Sequence, residues 1–258
     1  DGVYPPDGVY PPDGLIPPVR SSDFSRSESF WIRLATSLAL AFAPLFWCQA
    51  LITEVYTTAA FFLVLSLASW IKSKRSAYPR LWRFAAGLAW GLGISVHLTL
   101  VFMLPLWIIW HKFCAARKHA ARKHAALEYA GMFGVGVLLG LLPYVGLSLR
   151  GPWPQPWGDL RSFGGWWNVV SGRLYWGFAF GLPPPAWLQR VLAYGALLVR
   201  QFTPVGALLM LQGGRHLWMH RRAQMAGLIG AFGLGSLYAM GYNTPDSVVY
   251  LVPLLPLV

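Results

Sequence analysis

Apolar runs recur along almost the whole chain, and they constrain its fold more than any other feature. The runs lie at 31–47, 50–71, 84–96, 98–111, 127–149, 188–211, 223–241 and 248–258. Of the 258 residues, 56% are hydrophobic and 12% are charged, about half the charged share of a soluble domain. A soluble domain could not cover so many runs with polar surface. We therefore predict an all-α, polytopic transmembrane helical bundle with about seven to eight apolar spans, some short or broken.

The net charge of +12 is concentrated in short linkers between the apolar runs. These basic linkers lie at 72–83, 112–124 and 215–222. The positive-inside rule places all three in the cytoplasm. A nucleic-acid-binding surface would not be divided in this way, so we expect the lipid bilayer, and no nucleic acid, as a partner.

The linkers also predict which polar residues share one side of the membrane. Because an even number of crossings separates the linkers, 31–71 and 84–111 would each form a hairpin, with tips at Glu54 and His97. Tight hairpins would hold both residues below the membrane surface, where non-helical backbone lines a protein cavity. The polar and aromatic residues predicted on the outer side are Glu54, His97, Trp166, Trp167, Asn168, Arg173, Tyr175, Asn243 and Asp246.

The two ends of the chain differ from the middle. The opening repeats DGVYPP, DGVYPP and DGLIPP predict an extended or disordered segment at 1–30. Residues 31–258 would then form the transmembrane domain, with an outer loop at 150–187. The chain stops inside the apolar run 248–258, so we expect a fragment that is truncated at the C-terminus.

Glu54 and His97 are the residues most suited to catalysis. An ionisable group at membrane depth is costly, which favours a functional role for Glu54, as general base toward a hydroxyl. The alternative is an interfacial glutamate that the dipole of a following helix stabilises. His97 would orient a phosphate or relay a proton, and the alternative is a hydrogen-bonded core histidine.

The outer loop and the last turn supply candidates for substrate binding. Trp166 and Trp167 can stack on sugar rings, and Arg173 can clamp a phosphate. The alternative is an amphipathic helix whose tryptophans lie at the level of the lipid headgroups. Asn243 and Asp246 form a polar turn, in which Asp246 could instead cap the next helix.

Soluble cofactor chemistry has no support in the sequence. The chain contains no P-loop, no CxxC pair and no GxSxG motif. His216 and His220 have metal-ligand spacing, but no carboxylate is near them, and we interpret them as ordinary loop residues. We expect no cofactor, while a divalent metal shared by Glu54 and Asp246 stays open.

Four segments, in order, resemble blocks of the DUF2723 family, which includes TMEM260-type protein O-mannosyltransferases. They are FWCQALITEVYTTAAFFLVLSL, GLGISVHLTLVFMLPL, FGGWWNVVSGRLYW and GYNTPDSVVYLVPL. The resemblance implies a GT-C glycosyltransferase that transfers a polyprenyl-phosphate sugar to a hydroxyl acceptor, with protein as one candidate acceptor. It implies an acid/base or acceptor-positioning role for Glu54 and donor-phosphate contacts for His97 and Arg173. The implied substrate contacts are Tyr56, Trp166, Trp167, Tyr175, Asn243 and Asp246.

The resemblance departs from the family at the N-terminus. The family's opening transmembrane helix and its acidic first outer loop with His-Pro-Pro-Gly are absent, so we expect a fragment that lacks both. Two alternatives stay open: a proton-coupled transporter or lipid flippase that uses Glu54 and His97, and a non-catalytic fragment. We expect a multi-pass protein of the bacterial inner membrane, or of the ER membrane if eukaryotic, with its site facing the periplasm or lumen.

Overall fold

The computed structural model describes residues 26–52, 54–116, 123–149 and 159–257. Every regular element in these ranges is an α-helix or a 3₁₀ helix, which confirms the all-helical class. The chain divides into two compact units, Asp1–Ala39 and Leu40–Val258. Most of the predicted extended segment at 1–30 lies outside the described residues, and the first helix begins at Arg26.

The described helices follow one another with short connections. The α-helices are α1 (Arg26–Ala41), α2 (Pro44–Ala50), α3 (Val55–Ser73), α4 (Pro79–Val96), α5 (Leu104–Ala116), α6 (Lys123–Gly140), α7 (Leu142–Leu149), α8 (Phe163–Val170), α9 (Pro184–His220) and α10 (Arg222–Gly241). Three 3₁₀ helices lie at Leu98–Met103, Arg173–Phe178 and Ser247–Leu257. We call the last one the C-terminal 3₁₀ helix.

Several of these helices are long and apolar enough to cross a membrane. Among the described residues, four segments meet both criteria: Val55–Ser73, Leu127–Leu149, Pro184–His220 and Arg222–Gly241. A fifth is possible if Phe30–Ala41 and Pro44–Ala50 together form one broken span. By length and composition, the chain is therefore a multi-pass helical membrane protein with four to five candidate spans.

The apolar runs break close to the predicted hairpin tips. Helix α4 ends at Val96, and His97 has extended backbone angles, φ −150° and ψ 118°. The run 84–111 is therefore not one continuous helix. The region 215–222 differs from the sequence interpretation. Helical structure, interrupted once at Thr203 (φ 61°), extends to His220, and α10 begins at Arg222. His216 and His220 were expected in a loop. They lie instead in the last five residues of α9, with ring centroids 4.3 Å apart.

Helices α4 and α6 approach so closely that glycine is required at their contact. A Cβ atom on Gly136 would clash with the carbonyl oxygen of Phe84, and one on Gly87 would clash with that of Phe133. Small residues allow two membrane helices to bring their backbones together, which gains dispersion contacts without a hydrophobic driving force. The glycines of these runs therefore fix the α4–α6 pair.

Aromatic side chains of α3, α4, α5 and α6 meet in one buried group. We call this group the tryptophan cluster, which consists of Trp70, Trp90, Trp107, Trp110 and Phe133. Trp70 lies 5.4 Å from Trp107 between ring centroids, and Trp107 lies 5.2 Å from Phe133. Trp70 is fully buried and Trp107 is 1% exposed. This cluster is a buried aromatic core near the C-terminal end of α3.

Helix α9 presents an apolar surface instead of a packed one. Several of its large aliphatic side chains are more than 60% exposed: Leu188, Leu192, Val205, Leu208, Leu209 and Leu211. A monomer rarely leaves such a stripe to water, whereas lipid tails cover it without cost. Polar contacts also tie the helix to the bundle. In one of them, Gln201 Oε1 accepts the backbone N–H of Leu45 at 2.7 Å.

Candidate functional site

The rings of four tyrosines and one histidine meet where several elements end. We call this group, Tyr56, His97, Tyr238, Tyr242 and Tyr250, the tyrosine cluster. Ring centroids are 4.9 Å apart for Tyr56 and His97, 5.7 Å for His97 and Tyr250, and 4.8 Å for Tyr242 and Tyr250. The cluster thus joins the start of α3, the end of α4, the end of α10 and the C-terminal 3₁₀ helix.

Two carboxylates lie beside this cluster. Glu54 and Asp246 both interact electrostatically with the hydroxyl group of Tyr56, although 192 residues of sequence separate them. Both side chains are exposed in the structure. The fold therefore brings Glu54, Tyr56, His97 and Asp246, four of the residues predicted from sequence, to one place.

Glu54 is the N-cap residue of α3. Its backbone is extended, with φ −127° and ψ 156°, and its side chain makes no capping hydrogen bond. This position suits the catalytic interpretation, because the carboxylate oxygens are not used by the helix. It equally suits the alternative, in which the helix dipole stabilises a negative charge at this end.

His97 is held in one orientation by the residue two positions later. Its Nδ1 lies 2.6 Å from Thr99 Oγ1, and the backbone N–H of Thr99 donates to the same nitrogen at 3.4 Å. A nitrogen that accepts a backbone N–H carries a lone pair, so the neutral imidazole has its hydrogen on Nε2. His97 can therefore offer an Nε2–H donor to a ligand.

Arg190, near the start of α9, clamps the turn between α10 and the C-terminal 3₁₀ helix. Its guanidinium donates to the carbonyl oxygen of Thr244 at 2.8 Å, to that of Tyr242 at 3.4 Å, and to Ser247 Oγ. Burial raises the pKa of Tyr242, whose phenol would be neutral at physiological pH even without this shift. The turn that carries Asp246 is thus fixed from the side of α9.

Asn243 has a partner in the outer loop. Its backbone N–H donates to the carbonyl oxygen of Phe178 at 2.8 Å, and Nδ2 donates to that of Gly181 at 3.2 Å. The predicted role of Asn243 was to bind substrate. The side-chain amide nitrogen ties the turn to the loop, and the side-chain oxygen keeps its acceptor capacity, so the substrate-binding role stays a prediction.

Three of the outer-loop residues predicted to bind substrate, Trp166, Trp167 and Arg173, lie apart from the tyrosine cluster. Trp166 Nε1 donates to the carbonyl oxygen of Tyr144 at 2.7 Å, and Trp167 stacks on Phe163. Arg173 is exposed at the start of a 3₁₀ helix. Within the described part of the chain, no ring contact or hydrogen bond joins Trp166, Trp167 or Arg173 to the cluster.

Tyr175 is a predicted outer-loop residue that interacts with the tyrosine cluster. It interacts electrostatically with Tyr242 and, with Asn168 and Gly172, lines a cavity of about 350 Å³. Gly172 adopts φ +66°, and a Cβ there would touch Leu98, the neighbour of His97, at 3.4 Å. This glycine turn therefore packs the loop onto the segment that holds His97.

Potential metal-binding side chains are sparse among the described residues. No group of three or more histidine, cysteine, aspartate or glutamate side chains gathers at a metal-binding distance in the ranges that the structure describes. The idea that Glu54 and Asp246 share a divalent metal stays a prediction.

Four residues of the candidate site were not singled out from sequence: Tyr238, Tyr242, Tyr250 and Arg190. Tyr238 and Tyr242 are four residues apart, a spacing that places them on one helix face and could have indicated a shared ring stack. Arg190 is a charged residue at the start of an apolar run, which is a weaker signal. What the sequence could not indicate is that α9 packs its Arg190 against the Tyr242–Ser247 turn.

These features define a helical membrane protein with an aromatic site where several helices end, flanked by two carboxylates. Residues 18–120 match the family model described as protein O-mannosyl-transferase TMEM260 N-terminal domain. This match confirms the family resemblance over the part of the chain that holds Glu54, Tyr56 and His97. The match covers less than half of the chain, and the resemblance of the segments after residue 120 stays a prediction. No curated protein and no solved structure matches the chain.

Proposed function

We propose that this protein is an integral-membrane glycosyltransferase of the GT-C class. It would transfer a hexose, mannose by the description of the matched family, from a polyprenyl-phosphate donor to a hydroxyl group of a protein acceptor. The reaction would occur on the periplasmic or lumenal side. The shorter helices would take part in broken spans, for a total of about seven to eight, as the apolar runs predict.

The observation that supports the proposal most is the convergence of Glu54, Tyr56, His97 and Asp246. Glu54 and Tyr56 lie in the second apolar run, His97 lies between the third and fourth runs, and Asp246 lies in the last turn. The tyrosine cluster connects these four residues. A transferase needs a base for the acceptor hydroxyl and a donor for the leaving phosphate. Glu54 and the Nε2–H of His97 offer both beside rings that can stack on a sugar.

The proposed step forms one bond and breaks another. Glu54 accepts the proton of the acceptor hydroxyl, whose oxygen forms a bond to the anomeric carbon of the sugar. The bond from that carbon to the phosphate oxygen breaks, and the phosphate keeps the electron pair. His97 and Arg173 would bind the phosphate, while Trp166, Trp167 and Tyr175 would form the wall beside the sugar and lipid.

The proposal is tested by sugar transfer with the purified full chain in lipid nanodiscs. The substrates are a polyprenyl-phosphate mannose and a panel of hydroxyl-containing peptides. We expect transfer by the wild type and a loss of about 100-fold or more in the Glu54→Gln variant, because general bases contribute at this scale. The matched control is Glu128→Gln, since Glu128 is an exposed glutamate that pairs with Arg80 away from the cluster.

Two results would contradict the proposal. One is full activity in Glu54→Gln, which would remove this carboxylate from the chemistry. The other is no transfer by a folded wild type that moves the lipid donor or protons across sealed vesicles. That second result would favour the transporter or flippase alternative, in which Glu54 and His97 carry protons.

A further inference from the structure

A second cavity lies beside the turn that follows α10, with Pro245 and Ser247 of that turn in its lining. Its volume is about 320 Å³, and it lies between α9, α10 and the C-terminal 3₁₀ helix. Arg190, Tyr194 and Ser247 supply its polar groups, and Leu197, Met240 and Leu251 are among its apolar lining. We call it the Arg190 cavity.

The charge of Arg190 has no anionic partner there. Its three acceptors, two carbonyl oxygens and the hydroxyl of Ser247, are all neutral. Within the part of the chain that the structure describes, Arg190 forms no ion pair. This includes Asp246, which lies in the turn that Arg190 binds. A guanidinium has five N–H donors, so about two stay available for a ligand. A half-buried cation with spare donors is suited to a phosphate.

The surroundings of the cavity indicate a lipid and not a soluble phosphate. Apart from its polar end the cavity is apolar, and another face of α9 exposes large aliphatic side chains such as Leu188 and Leu192, which lipid would cover. A ligand that matches this pattern has an anionic head and a long apolar tail. A free phosphate ion would leave the apolar wall unused and would gain little from it.

The turn links this cavity directly to the candidate site. Arg190 binds the carbonyl oxygen of Tyr242, whose ring contacts Tyr250 in the tyrosine cluster. A phosphate bound to Arg190 would therefore lie close to Tyr242, which also borders the candidate site. Tyr194, which shares a hydrogen bond with Ser236, closes the cavity next to Arg190.

We infer that the Arg190 cavity binds the phosphate of the lipid-linked sugar donor, with Arg190 as its charge partner. This inference rests on the proposed function and adds Arg190 to the phosphate contacts expected from sequence. The apolar wall would hold the first isoprene units, and the sugar would extend past the turn toward Glu54 and His97.

Binding of a polyprenyl phosphate and of the uncharged polyprenol of equal length tests this inference. Both are titrated against the purified full chain in nanodiscs, without a sugar and hence without turnover. We expect the wild type to prefer the phosphate by about tenfold, the scale of a charge-assisted pair. Arg190→Gln should abolish the preference. Arg190→Lys should keep part of it, because lysine retains the charge but not the planar fork.

Two further variants separate the inference from a purely structural role of Arg190. Arg200→Gln, a change of another arginine of α9, should leave the preference at its wild-type value. Leu197→Trp fills the cavity and should weaken both ligands equally while Arg190 stays in place. If Arg190 only clamps the turn, Arg190→Gln will lower the melting temperature and keep the phosphate preference, which overturns the inference.

The failure of the inference and that of the proposed function give different results. Sugar transfer by the wild type, together with an unchanged phosphate preference in Arg190→Gln, rejects only the role of Arg190. A wild type that lacks the preference also rejects it. An Arg190-dependent preference without any sugar transfer supports the cavity as a lipid-phosphate site and rejects the transferase proposal.

Discussion

The two ends of α3 carry aromatic clusters of opposite character. Tyr56 lies in its first turn and Trp70 near its last, about 21 Å apart along the helix axis at 1.5 Å per residue. Each contacts a histidine: the ring centroid of Tyr56 is 4.9 Å from His97, and that of Trp70 is 4.3 Å from His111. The two ends therefore use similar residue types in a similar spatial arrangement.

Burial and available chemistry separate the two clusters. The tryptophan cluster is closed to solvent, with Trp70 at 0% and Trp107 at 1% exposure. In the tyrosine cluster, Tyr56, His97 and Tyr250 are half-buried, and the exposed carboxylates Glu54 and Asp246 flank them. An aromatic group closed on all sides can contribute packing only. One that stays open, with hydroxyls and carboxylates at its edge, can also bind and react.

The largest expected effect is a loss of stability when the tryptophan cluster, at the Trp70 end of α3, is disrupted. Trp107→Ala removes a fully enclosed ring that contacts Trp70, Trp90, Trp110 and Phe133. We expect a loss of about 3–5 kcal/mol in the free energy of unfolding, the usual cost of such a cavity. Chemical unfolding in detergent, followed by circular dichroism, measures it.

Trp218→Ala is the control for this prediction, because Trp218 is 51% exposed. It should change the unfolding free energy by less than about 0.5 kcal/mol. A similar loss in both variants would mean that the tryptophan cluster is not the packed core of the bundle.

The next effect is on activity at the tyrosine end. His97→Gln keeps a polar side chain but loses the fixed Nε2–H donor. We expect sugar transfer to fall by about 10- to 100-fold, since a hydrogen bond to a charged group contributes about 1.5–3 kcal/mol. The melting temperature should stay within a few degrees of wild type. A matched drop in stability and activity would instead make His97 a core histidine.

Sequence alone predicted the membrane class and half of the site, for a physical reason. Glu54 and His97 are polar residues in apolar runs, and an ionisable or polar group at such a place is costly enough to be informative by itself. The break at His97 followed from run lengths, because 84–96 and 98–111 are each too short for a flat bilayer. Both signals are local and need no knowledge of which helices pack together.

The other residues of the candidate site could not be predicted, because they come together only through packing between segments that are distant in sequence. Tyr250 and Arg190 become part of the site only because the C-terminal 3₁₀ helix packs beside α3 and α10, and α9 reaches the Tyr242 turn. Aromatic residues are common at membrane interfaces, so Trp166 and Trp167 had a sequence signal of the same strength as the tyrosines. Composition alone therefore could not show which aromatic residues, the loop tryptophans or the tyrosines, come together at the candidate site.

A smaller effect is expected where α4 meets α6, between the two clusters. Gly136→Ala places a Cβ against the carbonyl oxygen of Phe84. We expect a loss of about 1–3 kcal/mol in the free energy of unfolding, typical of overpacking. Gly134→Ala is a matched control two residues away, because nothing lies within 4 Å of its added Cβ. It should be neutral or stabilising, by up to about 1 kcal/mol from helix propensity. Equal effects of the two changes would contradict the close approach of these helices.

The smallest effect should come from Thr99→Val, which changes the support of His97 and not His97 itself. Valine keeps the shape of threonine but removes the Oγ1 that lies 2.6 Å from Nδ1, while the backbone N–H of residue 99 still reaches that nitrogen. One hydrogen bond contributes about 1 kcal/mol, so we expect transfer to fall about fivefold. His97→Gln should then hide the effect, so that the double variant resembles His97→Gln alone. Additive losses in the double variant would show that Thr99 acts independently of His97, and the tyrosine end would then have no fixed imidazole to distinguish it from the tryptophan end.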